Sequence, residues 1–154
     1  MVTRDFLRSV PLFAALGDAD ADALAAIGRE EVFTKGQVIF RERDAGGRLF
    51  VVISGVVEIS KAAVHGGPPV PLARVERGDV LGELGAFDGG PRSATATASL
   101  VPETRLATWD VEDFHAFLAA RPQAAVLILE RLVRVVSSRL RRTSEAVQVL
   151  LRSL

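Results

Sequence analysis

The densest concentration of useful chemistry in this 154-residue chain is a run of twelve residues, Gly82-Glu83-Leu84-Gly85-Ala86-Phe87-Asp88-Gly89-Gly90-Pro91-Arg92-Ser93. Glycines let backbone N–H groups turn toward an anion and let a ligand approach closely. Leu84-Gly85-Ala86-Phe87 can form one helical turn, and the amides at its start would face a phosphate. Arg92 offers a planar cation matched to two phosphate oxygens, and Ser93 adds a hydroxyl beside it. Glu83 is a poor partner for phosphate but a good acceptor for a sugar hydroxyl. A loop holding both an Arg and a Glu therefore suits an anion joined to a sugar better than inorganic phosphate. The bland alternative is a turn with a surface ion pair.

The elements around this loop must hold it still. From Glu31 to about Asp110, short β-rich runs recur: Val32-Phe33, Val38 to Phe40, Leu49 to Ile53, Val56 to Ile59, Leu72 to Val75, Val80-Leu81, Ala94 to Ala98 and Thr104 to Trp109. Turn signals such as Lys35-Gly36, Ser54-Gly55 and Arg77-Gly78-Asp79 separate them, which predicts a β-sandwich or barrel. Gly66-Gly67-Pro68-Pro69 reads as an exposed hairpin end. Residues 1–28 read as helical, with Pro11 as a break, Asp18 as N-cap of a short helix from Ala19 to Ile27, and Gly28 as its stop. Asp110 is placed to cap a helix from Val111 to Ala120. Pro122 suits the first turn of a long helix to the C-terminus.

Bulk properties narrow the function. With 49% apolar and 25% charged residues, the composition is that of a globular domain and not of a disordered chain. Net charge is zero, so nothing in the overall balance draws the chain to nucleic acid or an anionic membrane. There are no cysteines, which removes disulfides, thiolate metal sites and cysteine nucleophiles. No signal-peptide pattern and no apolar run of membrane-spanning length is visible, and a cytoplasmic location is expected. His65 and His115 are the only histidines, each read as a surface residue. No metal site, catalytic residue or cofactor is expected, and a cupin-like metalloenzyme is disfavoured.

The order of residues in the loop adds to this. Gly82-Glu83-Leu84-Gly85-Ala86-Phe87 followed by Pro91-Arg92-Ser93-Ala94-Thr95 resembles the phosphate-binding cassette of the cyclic nucleotide-binding domain family. The nine-residue separation of Glu83 and Arg92 occurs in that family. Phe6-Leu7-Arg8-Ser9-Val10-Pro11-Leu12-Phe13, Gly36-Gln37-Val38-Ile39-Phe40, Leu49 to Gly55 and Arg77-Gly78-Asp79-Val80-Leu81 extend the likeness over nearly the whole chain. The resemblance implies an antiparallel β-roll (a double-stranded β-helix or jelly roll) with N-terminal helices and a long C-terminal dimerisation helix. It implies that Glu83 accepts from the ribose 2′-hydroxyl and that Arg92 pairs with the exocyclic phosphate oxygens. Ser93, Ala94 and the amides around Gly82, Leu84 and Gly85 complete the cradle. Ile59, Leu72 and Val75 form apolar walls, and core packing is also expected of each. A hydroxyl after the Arg occurs in bacterial cAMP receptors, which favours cAMP over cGMP as ligand.

The last helix carries its own pattern. Val126, Leu129, Val133, Val136, Leu140, Thr143, Val147, Leu150 and Leu154 alternate at spacings of three and four, an a/d seam over four heptads. A parallel homodimer through residues 126–154 is expected, while Val126 and Leu129 are expected to lie on the chain's own β-roll. Arg131, Arg134, Arg139, Arg141, Arg142 and Arg152 read mostly as solvated faces. Arg141-Arg142-Thr143-Ser144-Glu145 resembles the segment of catabolite activator-type regulators in which a Thr-Ser pair meets the purine from both subunits. On that likeness Thr143 of one subunit and Ser144 of the other read the base. The expected organisation is a β-roll with N-terminal helices over 1–121 and a dimer and lid helix over 122–154. No DNA-binding domain is recognised, so specific DNA binding by this chain alone is not expected. The reading is thus a non-enzymatic cyclic nucleotide sensor. The alternatives are the effector half of a longer regulator, a cyclic-di-GMP receptor, or a ligand-free dimerisation module.

Overall fold

The computed structural model describes all residues, Met1–Leu154. Eight strands follow one another as β1 (Arg29–Thr34), β2 (Val38–Phe40), β3 (Arg48–Ser54), β4 (Val56–Lys61), β5 (Val70–Val75), β6 (Val80–Leu81), β7 (Thr95–Ser99) and β8 (Glu103–Asp110). They form two four-stranded antiparallel sheets, ordered β1-β8-β3-β6 and β2-β7-β4-β5. Two helices precede them, α1 (Arg4–Ser9) and α2 (Asp18–Ile27). A short helix α3 (Glu83–Asp88) interrupts them, and α4 (Val111–Ala120) and α5 (Pro122–Arg152) follow. This is the expected antiparallel β-roll with flanking helices.

The sequence of β3 explains the layering. Leu49 and Val51 point one way and Phe50 and Val52 the other, as the two-residue period of a strand demands, and all four are buried. Phe50 and Val52 join Phe33, Ile39, Val57, Leu81, Ala96, Ala98 and Leu106 between the sheets. Leu49 and Val51 join the helices, with Phe13, Leu24, Trp109, Phe114 and Ile128. A strand covered on both faces reads as a continuous apolar run, which is what Leu49 to Ile53 is.

Helix boundaries differ from the sequence expectation in instructive ways. α1 ends at Ser9 because Val10, the residue before Pro11, is pushed to an extended conformation. The cap of α2 is Gly17, and Asp18 is already helical. The Asp18 carboxylate pairs with Arg4 at 3.1 Å and also with Arg8, tying α2 to α1. Gly28 does stop α2, and the reason is close approach: a Cβ there would lie 2.8 Å from the indole Nε1 of Trp109. That Nε1 donates to the Leu24 carbonyl at 2.9 Å. Asp110 stands at the N-cap of α4 but does not cap it with its side chain; it accepts from Arg29 at 2.7 Å.

The 31 residues of α5 span about 46 Å at 1.5 Å per residue. The face it lays on its own domain is Ala124 and Ile128, with Leu132 packed beside them. Val126 and Leu129, expected there, are 54% and 42% exposed. The helix therefore carries two apolar stripes, and the stripe read as the a/d seam is the outer one. From Leu140 onward every residue is exposed. The helix ends at Arg152, so Leu154 falls outside it and the helical seam stops at Leu150.

Candidate functional site

Strand β6 delivers the chain to the site. Val80 and Leu81 pair with Val51 and Phe50 in the helix-backed sheet. Gly82 then turns with φ 75°, ψ 13°, a left-handed conformation that side-chain-bearing residues rarely adopt. A Cβ at Gly82 would also collide with Arg92 Nη1 and lie 3.1 Å from the Arg48 carbonyl. Only glycine satisfies both the turn and the space. The first helical bond of α3 runs from Ala86 N–H to the Gly82 carbonyl at 3.2 Å. The N–H groups of Glu83, Leu84 and Gly85 precede it and have no helical partner.

Arg92 returns the chain to the same place. Its backbone is clamped to the loop between β2 and β3: its N–H donates to the Asp44 carbonyl at 2.8 Å and its carbonyl accepts from Arg43 N–H at 2.8 Å. The residue is only 6% exposed. Its guanidinium lies 4.3 Å from the Phe40 ring centroid and 5.7 Å from that of Phe50. Nη2 donates to the Arg48 carbonyl at 2.7 Å and Nη1 to the Gly82 carbonyl at 3.3 Å. Nε is buried without a hydrogen-bond partner. Burial holds this guanidinium below the ordinary arginine value, and the charge of Arg48 pushes the same way; Asp44 and Glu83 oppose them. Arginine stays protonated nonetheless. The result is a buried cation whose direct partners are neutral carbonyls.

Glu83 is the opposite case. It is 5% exposed, and its Oε1 is already paired with Arg139 Nη1 from α5. Arg139 Nη2 also donates to the Val80 carbonyl at 2.8 Å. The pair joins the first residue of α3 to the middle of α5 and leaves Oε2 as the acceptor for a further donor. Arg139 is the residue the sequence reading missed, grouped there with solvated arginines. Its partner is 56 positions away in the chain, so only the fold could identify it.

These groups line one cleft of about 780 Å³. Gly82, Glu83, Leu84, Gly85, Arg92, Ser93 and Ala94 form one end. Ile59, Leu72 and Val75 also line the cleft, but the core packing expected of Leu72 is not seen, since it is 55% exposed on the edge strand β5. Ile59 and Val75 pack partly against the inter-sheet core. Arg139, Arg142, Thr143 and Ala146 line the cleft from α5, with Arg139 against Glu83. The Thr143 hydroxyl donates to the Arg139 carbonyl at 3.0 Å. Ser144 is exposed and does not line this cleft. His65, in the β4–β5 hairpin, and His115, on α4, are both exposed, as expected; His115 in addition holds the Ala86 carbonyl. No group of three or more His, Cys, Asp or Glu side chains converges on a point, and no helix is long and apolar enough to cross a membrane. The arrangement can hold an anion at Arg92 and a hydroxyl at Glu83, with an apolar wall between β5 and α5.

Comparison with known proteins agrees with that geometry. Residues 30–121 match the cyclic nucleotide-binding domain. The chain is 38% identical over 112 residues to a CRP-like cAMP-activated global transcriptional regulator of Mycobacterium tuberculosis, covering 73% of this chain and 47% of that protein. It is 30% identical over 135 residues to the cyclic AMP receptor protein of Thermus thermophilus, covering 88% of this chain and 59% of that one. It thus spans about half the length of these regulators. Among solved structures, the N-terminal domain of a transcriptional regulator from Streptomyces coelicolor superimposes with a TM-score of 0.74 at 38% identity, over 93% of this chain and 95% of that one. The chain belongs to the cyclic nucleotide-binding domain family.

Proposed function

We propose that this chain is a cytoplasmic, non-enzymatic sensor of a cyclic nucleotide, with cAMP as its ligand. The observation that carries this is Arg92: a buried guanidinium with only neutral partners and an unengaged Nε–H, at one end of a cleft of nucleotide size. In this reading the cyclic phosphate sits on Arg92, Ser93 and the amides of Leu84 and Gly85. The ribose 2′-hydroxyl donates to Glu83, held in place by Arg139. The purine lies against Ile59, Leu72 and Val75 and meets the Thr143 hydroxyl. The choice of cAMP is supported by the ligand named for the regulators of Mycobacterium tuberculosis and Thermus thermophilus.

The output runs through α5. Its outer stripe, Val126, Leu129, Val133, Leu140, Val147 and Leu150, is exposed at 42 to 66% each. A parallel homodimer along this stripe would cover it and bring Ser144 of the second copy toward the purine. Binding then tightens the helix pair. The names of the two regulators favour a role as the effector part of a transcription regulator. A thermal-shift panel of cAMP, cGMP, cyclic-di-GMP and AMP tests the reading. A rise in melting temperature with cAMP exceeding that with AMP supports it, and no rise with any of the four overturns it.

A further inference from the structure

His115 lies outside the cleft, in the second turn of α4. Its Nε2 is 2.6 Å from the carbonyl oxygen of Ala86 in α3. A carbonyl only accepts, so Nε2 carries the proton and donates. That carbonyl is available for a local reason. In a continuing helix it would take the N–H of Gly90, but that N–H donates instead to Asp88 Oδ1 at 2.7 Å, and α3 stops at Asp88. The freed carbonyl faces α4.

The other anchors of α3 on this side are apolar. Ala86 is 1% exposed, and Phe87 stands edge-on to Phe114 of α4 at 5.9 Å. Apolar contacts fix how close α3 lies to α4 but constrain its rotation weakly, whereas a hydrogen bond is directional. For a six-residue helix, rotation decides where its first amides point. Those amides, on Glu83, Leu84 and Gly85, have no helical partner and belong to residues that line the cleft together with Arg92. We propose that His115 is a positioning residue for the anion cradle: its bond to Ala86 sets the orientation of α3 and so aims the Leu84 and Gly85 amides at the phosphate. This rests on the cyclic nucleotide reading above.

The test compares the full chain with His115→Ala and with His115→Gln, whose side-chain amide can donate in place of the imidazole. Calorimetry with cAMP is expected to show an affinity loss of about threefold to tenfold for His115→Ala, the worth of one net hydrogen bond, with recovery to near wild type in His115→Gln. His115→Ala is expected to melt slightly below His115→Gln, since it lacks the bond, and the amide resonances, not stability, separate positioning from a purely structural role. In ligand-free protein, the backbone amide resonances of Leu84 and Gly85 should move in His115→Ala and return toward wild-type positions in His115→Gln. Unmoved amide resonances overturn the inference even if no nucleotide binds. Wild-type affinity in His115→Ala, or equal losses in both variants together with a lower melting temperature, also overturns it. Failure of the wild type to bind any cyclic nucleotide, with the amides still responding to His115, would instead strike the functional reading.

Discussion

The two ends of the cleft are built by different means. At the Arg92 end both charged groups are buried and held by the fold: Arg92 by two carbonyls and two rings, Glu83 by Arg139, beside Gly82 in a turn that tolerates no side chain. At the Thr143 end the wall is a helix whose every residue from Leu140 onward is exposed, facing an edge strand with Leu72 half exposed. In the proposed reading, anion capture lies within one chain, while base recognition depends on the part of α5 beyond its Arg139 anchor, where the helix is exposed. The difference implies that loss at the first end is severe and does not depend on assembly. Loss at the second end is milder and coupled to whatever covers α5.

The largest expected effect breaks the buried end. Arg92→Ala removes a charged, two-pronged partner, and cAMP affinity should fall about 100-fold or more, read by calorimetry. Gly82→Ala forces a side chain into a left-handed turn and against Arg92. Chemical denaturation should show a loss of about 1–3 kcal/mol, together with weakened binding. Glu83→Ala should cost about tenfold in affinity, less than Arg92→Ala, because one hydroxyl bond is lost and Arg139 remains in water's reach. At the open end, Leu140→Arg with Val147→Arg places charges on the outer stripe, and sedimentation equilibrium should show a monomer where the wild type is a dimer. A monomeric wild type would contradict the seam. Smallest is Thr143→Ala with Ser144→Ala, expected to cost a fewfold in affinity and to narrow the difference between cAMP and cGMP. Unchanged base preference there would remove both residues from the site.

How much of this was legible in sequence follows from the range of each interaction. The strands could be read because their period and turn residues are local, and β3 could be read as buried because both of its faces are apolar. The Gly82–Ser93 cassette could be read because its functional groups lie within one loop. Arg139 could not, since nothing within α5 separates it from Arg134 or Arg141. His115 was hidden for the same reason, its acceptor being 29 positions upstream. The phase of α5 was misjudged because Ala124, Ile128 and Leu132 form a second apolar stripe beside Val126, Leu129 and Val133. Periodicity reveals an apolar face without saying which of two neighbours it meets.

The central claim is that Arg92 is a charge built to receive a cyclic phosphate. The most direct measurement is calorimetric titration of cAMP into the wild type and Arg92→Lys, with melting curves of both proteins taken alongside. The account predicts one site per chain in the wild type and at least about a tenfold loss in Arg92→Lys at unchanged stability, because lysine keeps the charge but not the planar fork. Equal affinity in the two proteins, or no binding by a folded wild type, would contradict it.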